Sequence, residues 1–252
     1  MKYPNIVEFE ITGDYGLFTD PMTRIGGEKC SYQIPTYEAL KGILSSVYWK
    51  PTIIWYIDAL RVMNPIQTET KGIRKIKYNN EKKKKTETED KGVDLSYYTY
   101  LKNCRYQVRA HFEWNMNRPE LEKDRNENKH HNIAKQMIEK GGRRDIFLGA
   151  RECQGYVVPC VFGEGEGHYD NIPELNFGLM YHGITYADEA YDEKTEGKMT
   201  VNLWRAEMKN GIVKFLRPEE CPYHKTVHDM EMKIFDEKEN NFSGLKEFGE
   251  AF

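Results

Sequence analysis

The chain has 252 residues, which is enough for one large domain or two smaller ones with cores of their own. Its 39% hydrophobic and 31% charged residues are typical of a globular protein, and no apolar run approaches the ~18 residues of a membrane span. The net charge of −3 argues against a strongly basic nucleic-acid binder, so any RNA contact must depend on local clusters of cations. We expect a cytoplasmic protein, because the first residues lack the apolar core of a signal peptide.

The N-terminal part predicts a strand, a helix and a second strand. Residues 7–12 alternate between apolar and polar side chains, as a half-buried strand does. After an irregular stretch, Thr36 can cap a helix whose apolar residues recur at helical spacing up to Val47. Pro51 disfavours the helical conformation at the residue before it, which predicts Tyr48 on the last helical turn. Residues 52–57 are β-branched and aromatic and predict a buried strand.

A second set of the same elements follows. Residues 79–92 form a charge run that we interpret as a solvated hairpin tip, and residues 104–115 alternate over a full strand length. A helix is predicted from about Asp124 to Lys140, with Gly141-Gly142 as its stop. Residues 146–148 and 156–162 predict further strand. The order is βαββαβ, which is the ferredoxin-like order. RNA binders with an RRM-like fold use the same order.

The C-terminal part differs in character. Residues 163–167 alternate glycine with glutamate and are interpreted as a linker or hinge. Short strands are predicted at 177–186, 199–208 and 212–215, with an Asn210-Gly211 turn between the last two. The sequence therefore predicts an α+β protein with a ferredoxin-like domain over 1–162 and a small antiparallel β-sheet domain over 163–252. The polar end after Asp236 is expected to be partly loose.

The densest group of reactive side chains runs from Asp124 to His131, at the predicted start of the second helix. Histidine exchanges protons near neutral pH, and a lysine at a helix N-terminus can stabilise charge on phosphate oxygens. Metal-free RNA cleavage requires such groups. A solvated helix start explains the same residues, and a metal site is the weakest interpretation because His130 and His131 project about 100° apart. The five cysteines contain no Cys-x-x-Cys pair, so we expect mostly buried free thiols and neither structural zinc nor a disulfide scaffold.

Two other segments could contact phosphate or bases. Gly141-Gly142-Arg143-Arg144, with Arg151 beyond it, combines backbone that can approach a phosphate with guanidinium groups that bind one. A helix C-cap with basic residues is an equally good explanation. Tyr48-Trp49-Lys50 offers aromatic faces and a cation at a helix end, although packing is the commoner role of such a segment.

These segments together resemble the subtype I-C (Dvulg) Cas-five proteins of CRISPR systems. The matching blocks include residues 13–21, 25–29, 35–43, 48–51, 61–63, 124–127 and 141–153, with a weaker likeness at 218–222. The resemblance implies an endoribonuclease that cuts pre-crRNA at the base of the repeat hairpin. It also implies that the enzyme stays on the crRNA 5′ handle as a subunit of the Cascade surveillance complex. There it contacts the backbone and large subunits, and it meets target DNA only indirectly through the complex.

The resemblance also implies a catalytic tyrosine, lysine and histidine, which fall on Tyr48, Lys129 and His130. His131 stands where the family commonly has an aromatic residue, so it is kept as an alternative acid or base. No cofactor and no metal are expected. The RNA contacts predicted from the cationic and aromatic segments are Lys29, Trp49, Lys50, Arg125, Arg143, Arg144 and Arg151. Two alternatives remain open: a non-catalytic module that binds the handle, and a metal-dependent nuclease that shares the fold.

Overall fold

A computed structural model describes residues 4–24, 27–76 and 93–232 of the chain. Within them, two helices, α1 (Tyr37–Val47) and α2 (Glu127–Glu139), accompany eleven strands. The strands are β1 (Val7–Gly16), β2 (Lys29–Cys30), β3 (Ile53–Val62), β4 (Gln67–Ile76), β5 (Val93–Trp114), β6 (Ile146–Phe147), β7 (Gln154–Pro159), β8 (Leu175–Thr185), β9 (Lys198–Lys209), β10 (Ile212–Lys214) and β11 (Tyr223–Asp229). The charge run at 79–92 and the polar end after Asp236 lie outside the described residues.

Four antiparallel strands in the order β3-β5-β1-β7 form the middle of the sheet. Helix α1 connects β1 to β3, and α2 connects β5 to β7, so the predicted succession of elements is present. Strands β2, β4 and β6 are additions to it, and β4 pairs with the first half of the long strand β5. The molecule is a mostly antiparallel α+β protein, as the sequence predicts.

The core lies between this sheet and the two helices. Phe9 and Ile11 of β1 and Val108 of β5 are fully buried in one cluster with Leu40 of α1 and Ala134 of α2. Each large apolar side chain stabilises the fold by roughly 1.5–3 kcal/mol when it is removed from water. The packing holds both helices on the sheet and so fixes the C-terminal end of α1 relative to the N-terminal end of α2.

Helix α1 begins and ends close to the predicted residues, with one correction at its end. The Thr36 side chain accepts a hydrogen bond from the Ala39 N–H, which caps the first turn. Tyr48 is not on the last turn but is the C-cap residue, in an extended conformation at φ −156° and ψ 126°. Its carbonyl accepts a hydrogen bond from Trp55 Nε1 at 2.8 Å. The helix therefore ends at Val47, before the predicted stop near Trp49-Lys50, and the Tyr48 ring is buried.

The strands after residue 163 continue the same sheet. Strand β10 pairs antiparallel with β3, β9 pairs with β8, β10 and β11, and the predicted Asn210-Gly211 turn joins β9 to β10. Both turn residues have positive φ, 48° and 77°, which Asn and Gly adopt at low cost. Hydrogen bonds thus cross the boundary between 162 and 163, and the division into two domains there stays a prediction.

The interpretation of residues 163–167 as a hinge is wrong. The buried guanidinium of Arg61 donates hydrogen bonds to the carbonyls of Glu164 and Gly165, at 3.0 and 2.8 Å, and to both carboxylate oxygens of Asp170, at 3.1 and 2.6 Å. Gln107 donates a further bond to the Glu164 carbonyl at 2.8 Å. The glycines serve a tightly anchored loop rather than a flexible joint.

We expect Arg61→Met to lower the free energy of unfolding by about 3 kcal/mol, because it removes a buried guanidinium and the charged hydrogen bonds by which it holds Asp170 and the loop. Urea denaturation measures the loss. Arg109→Met is the matched control: Arg109 pairs with Glu8, but its side chain is 40% exposed. An exposed pair of this kind stabilises by at most about 1 kcal/mol. Equal losses in the two variants would contradict the anchoring role of Arg61.

Candidate active site and nucleic-acid interface

The end of α1 and the start of α2 bring two of the predicted catalytic residues into direct contact. The Tyr48 hydroxyl lies 2.7 Å from Nδ1 of His130. Tyr48 reaches this position because α1 ends at the residue before it, and His130 because it faces inward from the first turn of α2. The two residues are 82 positions apart in the chain, so their contact depends on the packing of both helices on the sheet.

Asp124 determines which nitrogen of His130 carries the proton. Nε2 of His130 lies 2.8 Å from the main-chain carbonyl oxygen of Asp124, which can only accept a hydrogen bond. Nε2 is therefore the protonated nitrogen of the neutral ring, and Nδ1 presents its lone pair to the Tyr48 hydroxyl. Tyr48 donates to His130, and His130 donates to Asp124.

Lys129, the third predicted catalytic residue, lies beside this chain of hydrogen bonds. Its Nζ is 2.5 Å from Oδ1 of Asp124. The N-cap residue Asn126 accepts a hydrogen bond from the Lys129 N–H at 3.0 Å, which fixes the start of α2. About half of the Lys129 side chain is exposed. Lys129 is thus the member of the group that solvent, or a phosphate, can reach.

The surroundings raise the pKa of Tyr48 and lower the pKa of Asp124. Burial raises the pKa of Tyr48 to about 12, with the Asp124 carboxylate adding to the rise and the Arg143 guanidinium opposing it. Burial works to raise the pKa of Asp124 too, but hydrogen bonds from Lys129 and Thr52 outweigh it, and the pKa is lowered overall. Near neutral pH, Tyr48 is therefore a neutral hydroxyl donor and Asp124 a carboxylate.

Tyr48 and His130 are both buried, with exposed fractions of 1% and 0%. The His130 ring packs edge-on against Trp114, with ring centroids 5.7 Å apart. In this conformation RNA can reach Lys129 but not the imidazole. The Tyr48 hydroxyl, which contacts Nδ1 of His130, is buried as well.

His131 faces a different part of the molecule. Its Nε2 donates a hydrogen bond to the main-chain carbonyl of Ile6, 3.0 Å away, at the entrance to β1. It lines an open groove of about 610 Å³ with residues that include Glu8, Lys135 and Cys160. Of the two adjacent histidines, only His130 contacts Tyr48.

Four of the predicted RNA contacts are exposed near this group. Trp49 and Lys50 directly follow Tyr48 on the surface. Arg143 and Arg144 are exposed in the loop after α2, and the Arg144 N–H donates to the carbonyl of Ser46 in α1 at 3.2 Å. These cations and the indole surround the end of α1, so a phosphate backbone could follow them to Lys129.

The other three predicted contacts are placed differently. Arg125 turns inward, and its Nη2 donates to the carbonyls of Asn115 and Arg118 at 3.1 and 3.2 Å. Lys29 lies over the Tyr98 ring, 4.9 Å from its centroid, beside the pairing of β2 with β5. Arg151 is exposed in the turn between β6 and β7. Their contacts with RNA stay predictions, and that of Arg125 requires its side chain to leave two carbonyls.

The sheet face opposite the helices differs from the stacking surface of an RRM. RRM domains stack bases on aromatic side chains of the central strands. Here the central strands present charged pairs, in which Arg109 binds Glu8 at 2.8 Å and Arg105 binds Glu10 at 3.0 Å. Phe162 covers part of this face, and its N–H donates to Glu8 at 3.0 Å. The end of α1 is therefore the better candidate surface for RNA.

The described ranges, 4–24, 27–76 and 93–232, hold neither a candidate metal site nor a candidate membrane span. No group of three or more His, Cys, Asp or Glu side chains there is arranged to hold a metal ion. No helix in those ranges is both long and apolar enough to cross a membrane. All five cysteines are free and three of them, Cys104, Cys153 and Cys221, are buried, as the sequence predicts.

Two residues of the group had no predicted role. Asp124 belongs to the predicted cluster. Its contact with His130 is made by the main-chain carbonyl, so the type of side chain gives no indication of it. Thr52 precedes β3 and donates its hydroxyl to Oδ2 of Asp124 at 2.7 Å, across 72 positions of sequence. Only the position of Asp124 beside Lys129 could have been found from the sequence.

Comparison with known proteins decides the family. The family model described as CRISPR-associated protein (Cas_Cas5), designated Cas_Cas5d, matches residues 6–216. This chain belongs to that family. The Cas-five resemblance predicted from the sequence is confirmed, and the Cas5d designation is consistent with subtype I-C.

Individual relatives of this Cas5-family chain agree. One curated relative, the CRISPR pre-crRNA endoribonuclease Cas5d of Mannheimia succiniciproducens, is 29% identical over 83% of this chain and 94% of its own. A solved structure of a CRISPR-associated protein is 31% identical with a TM-score of 0.70, over 88% of this chain and 96% of that one. A functionally uncharacterised protein of Streptococcus mutans is 34% identical with a TM-score of 0.68, over 88% and 97%.

Proposed function

We propose that this protein is an endoribonuclease that cuts CRISPR repeat RNA without a metal ion. The observation that carries the proposal is the hydrogen-bonded group formed by Tyr48, His130 and Asp124, with the exposed ammonium of Lys129 beside it. The curated relative named a pre-crRNA endoribonuclease supports the choice of RNA as the substrate.

The arrangement supports attack by a 2′-hydroxyl. The 2′-oxygen forms a bond to the adjacent phosphorus while the bond from phosphorus to the 5′-oxygen breaks, which leaves a 2′,3′-cyclic phosphate and a 5′-hydroxyl. The 2′-proton passes to the Tyr48 oxygen as Tyr48 gives its own proton to Nδ1 of His130, and the same relay returns a proton to the leaving 5′-oxygen. Lys129 stabilises the negative charge on the phosphorane. The relay lets Tyr48 take part while its high pKa keeps it neutral.

The same proposal covers the fold unit and the partners. Residues 1–162 act as a ferredoxin-like, RRM-like unit that binds the base of the repeat hairpin, with the later strands extending its sheet as the smaller β-sheet domain. After cleavage the protein stays on the crRNA 5′ handle as a subunit of the type I-C Cascade complex. It then contacts the backbone and large subunits, and target DNA only through that assembly.

A cleavage assay with the lone protein tests the activity. We expect repeat RNA to be cut in the presence of EDTA, and Lys129→Ala to cut it about a hundredfold more slowly, because one donor aimed at developing charge contributes ~3 kcal/mol. Binding of uncut RNA is measured in parallel. Tight binding without cleavage by the wild-type protein would contradict the proposal.

That contrary result would favour a second function, a non-catalytic subunit that binds the crRNA handle. The complete burial of Tyr48 and His130 is the observation on its side, because a buried tyrosine–histidine pair can serve packing alone. Tyr48→Phe separates the two functions. If Tyr48 relays a proton, removing its hydroxyl breaks the proton path and cleavage is lost. If Tyr48 only packs, the variant loses one hydrogen bond and RNA binding stays intact.

The exposed arginines after α2 give a prediction about binding. We expect Arg143→Ala combined with Arg144→Ala to flatten the slope of log K against log salt by somewhat less than ~2, because each lost phosphate contact releases about one counterion fewer. Arg205→Ala with Lys209→Ala, on β9, removes the same charge far from α2 and serves as control. An equal change of slope in both double variants would mean that Arg143 and Arg144 affect binding only through the net charge of the protein.

A further inference from the structure

The acceptors of Asp124 connect three parts of the candidate active site. Its main-chain carbonyl accepts from Nε2 of His130 at 2.8 Å, Oδ1 accepts from Lys129 at 2.5 Å, and Oδ2 accepts from Thr52 at 2.7 Å. Oδ2 also lies 3.4 Å from Nε2 of His130. Thr52 belongs to the connection between α1 and β3 that carries Tyr48, whereas Lys129 and His130 belong to α2. One residue therefore ties together the two elements on which the reacting groups stand.

We propose that Asp124 is a positioning residue for the cleavage reaction, and that its carboxylate holds Lys129 in place and stabilises the protonated form of the His130 ring. The inference rests on the proposed function and deepens it. During the relay the ring receives a proton on Nδ1 and becomes a cation, and a carboxylate 3.4 Å from its other nitrogen favours that state. Asp124 itself does not meet the RNA in this account, since it acts through the two side chains.

Asp124→Asn isolates the charge of the carboxylate. The substitution keeps the shape of the side chain and the main-chain carbonyl, so His130 keeps the tautomer that the carbonyl imposes. The amide oxygen can still accept a hydrogen bond from Lys129, but the negative charge that holds the ammonium is gone, and the ring loses its neighbouring anion. Thr52→Val is the complementary variant, because it loosens the carboxylate without removing its charge. Asp229→Asn, on the exposed edge strand β11, is the matched control for loss of one negative charge.

We expect Asp124→Asn to fold and to bind repeat RNA within about threefold of the wild type, a change of under 1 kcal/mol. Its single-turnover cleavage rate should fall by ~10-fold or more, because a neutral amide holds the Lys129 ammonium less firmly than a carboxylate does. The limb of the rate–pH profile that reports the imidazole should move to lower pH, since the ring cation loses its neighbouring anion. Thr52→Val should lower the rate less and leave the limb in place, and Asp229→Asn should change neither.

Nuclear magnetic resonance of the His130 ring nitrogens supplies a reading that does not depend on cleavage. We expect the ring to become protonated at lower pH in Asp124→Asn than in the wild type, with the proton of the neutral form on Nε2 in both. A rate that falls only with the fraction of folded protein, with an unmoved limb and unchanged ring signals, would overturn the role of Asp124. Wild-type protein that fails to cut RNA, together with the expected change in ring signals, would instead overturn the proposed function and leave the positioning contact standing.

Discussion

His130→Ala is expected to slow cleavage of repeat RNA by ~10²–10⁴, the range that general acid–base catalysis contributes. The relay loses the group that accepts the Tyr48 proton, and the buried Tyr48 hydroxyl loses its partner at 2.7 Å. The measurement is a single-turnover rate at saturating protein, so that a change in affinity does not enter. RNA affinity should stay close to that of the wild type, because His130 is fully buried and reaches no phosphate.

His131→Ala is the matched control for His130→Ala. It removes the neighbouring imidazole from the same helix, but this ring donates to the Ile6 carbonyl and does not touch Tyr48. We expect a near-wild-type rate and a small loss of stability of about 1 kcal/mol from the lost hydrogen bond. Loss of cleavage in His131→Ala with activity retained in His130→Ala would move the catalytic imidazole by one residue. His130→Ala also leaves a cavity that lowers the stability of the fold. Thermal unfolding of both variants measures this loss separately from the change in rate.

A single 2′-deoxy nucleotide just upstream of the cut should abolish cleavage while leaving binding nearly unchanged. The substitution removes the nucleophile and nothing else, since no other step of the proposed mechanism uses that hydroxyl. The affinity should persist because the exposed cations near the end of α1 contact phosphates, which the deoxy substrate keeps. The test compares cleavage and binding of two RNA oligonucleotides that differ at this one position.

The control is the same substitution one nucleotide further upstream, which should be cut at the normal rate. If the deoxy nucleotide at the cut were tolerated, the attacking oxygen would have to come from water, and the roles given to Tyr48 and His130 would fail together. An equal loss at both positions would instead mean that the protein reads the ribose for recognition.

Local signals in the sequence were enough for the main elements of the fold. The Thr36 cap, the apolar spacing of α1 and the alternation of β5 each depend on neighbouring residues, so they could be predicted without knowing the tertiary structure. Strand β11 could not be predicted, because all of its side chains are exposed and backbone pairing with β9 places it in the sheet. Strand β4 was missed for a related reason, since its threonines, glutamate and basic residues lack an apolar face.

The loop at 163–167 shows where sequence patterns fail. Alternating glycine and glutamate are typical of a flexible linker, and nothing nearby in the chain indicates otherwise. The residue that anchors the loop, Arg61, lies more than a hundred positions away. A buried arginine in a strand is unusual enough to suggest a partner, but the partner here is a set of main-chain carbonyls, which every residue possesses.

The candidate site divides in the same way. Lys129 and His130 were found as a cluster at a helix start, and Tyr48 as part of an aromatic segment at a helix end. The catalytic role of Tyr48 came from the family resemblance alone. Their mutual geometry depends on how the helices pack, so the sequence could not predict that Tyr48 meets His130 and not His131. It also could not predict that both rings are buried.

In the proposed reaction the RNA's own 2′-hydroxyl performs the cleavage, at a site that uses no metal. Mass spectrometry of the products formed by the lone protein in EDTA tests this reaction most directly. We expect an upstream fragment that ends in a 2′,3′-cyclic phosphate and a downstream fragment that begins with a 5′-hydroxyl, both formed ~10²–10⁴ more slowly with His130→Ala. A 5′-phosphate on the downstream fragment, or cleavage that occurs only when a divalent ion is restored, would contradict it.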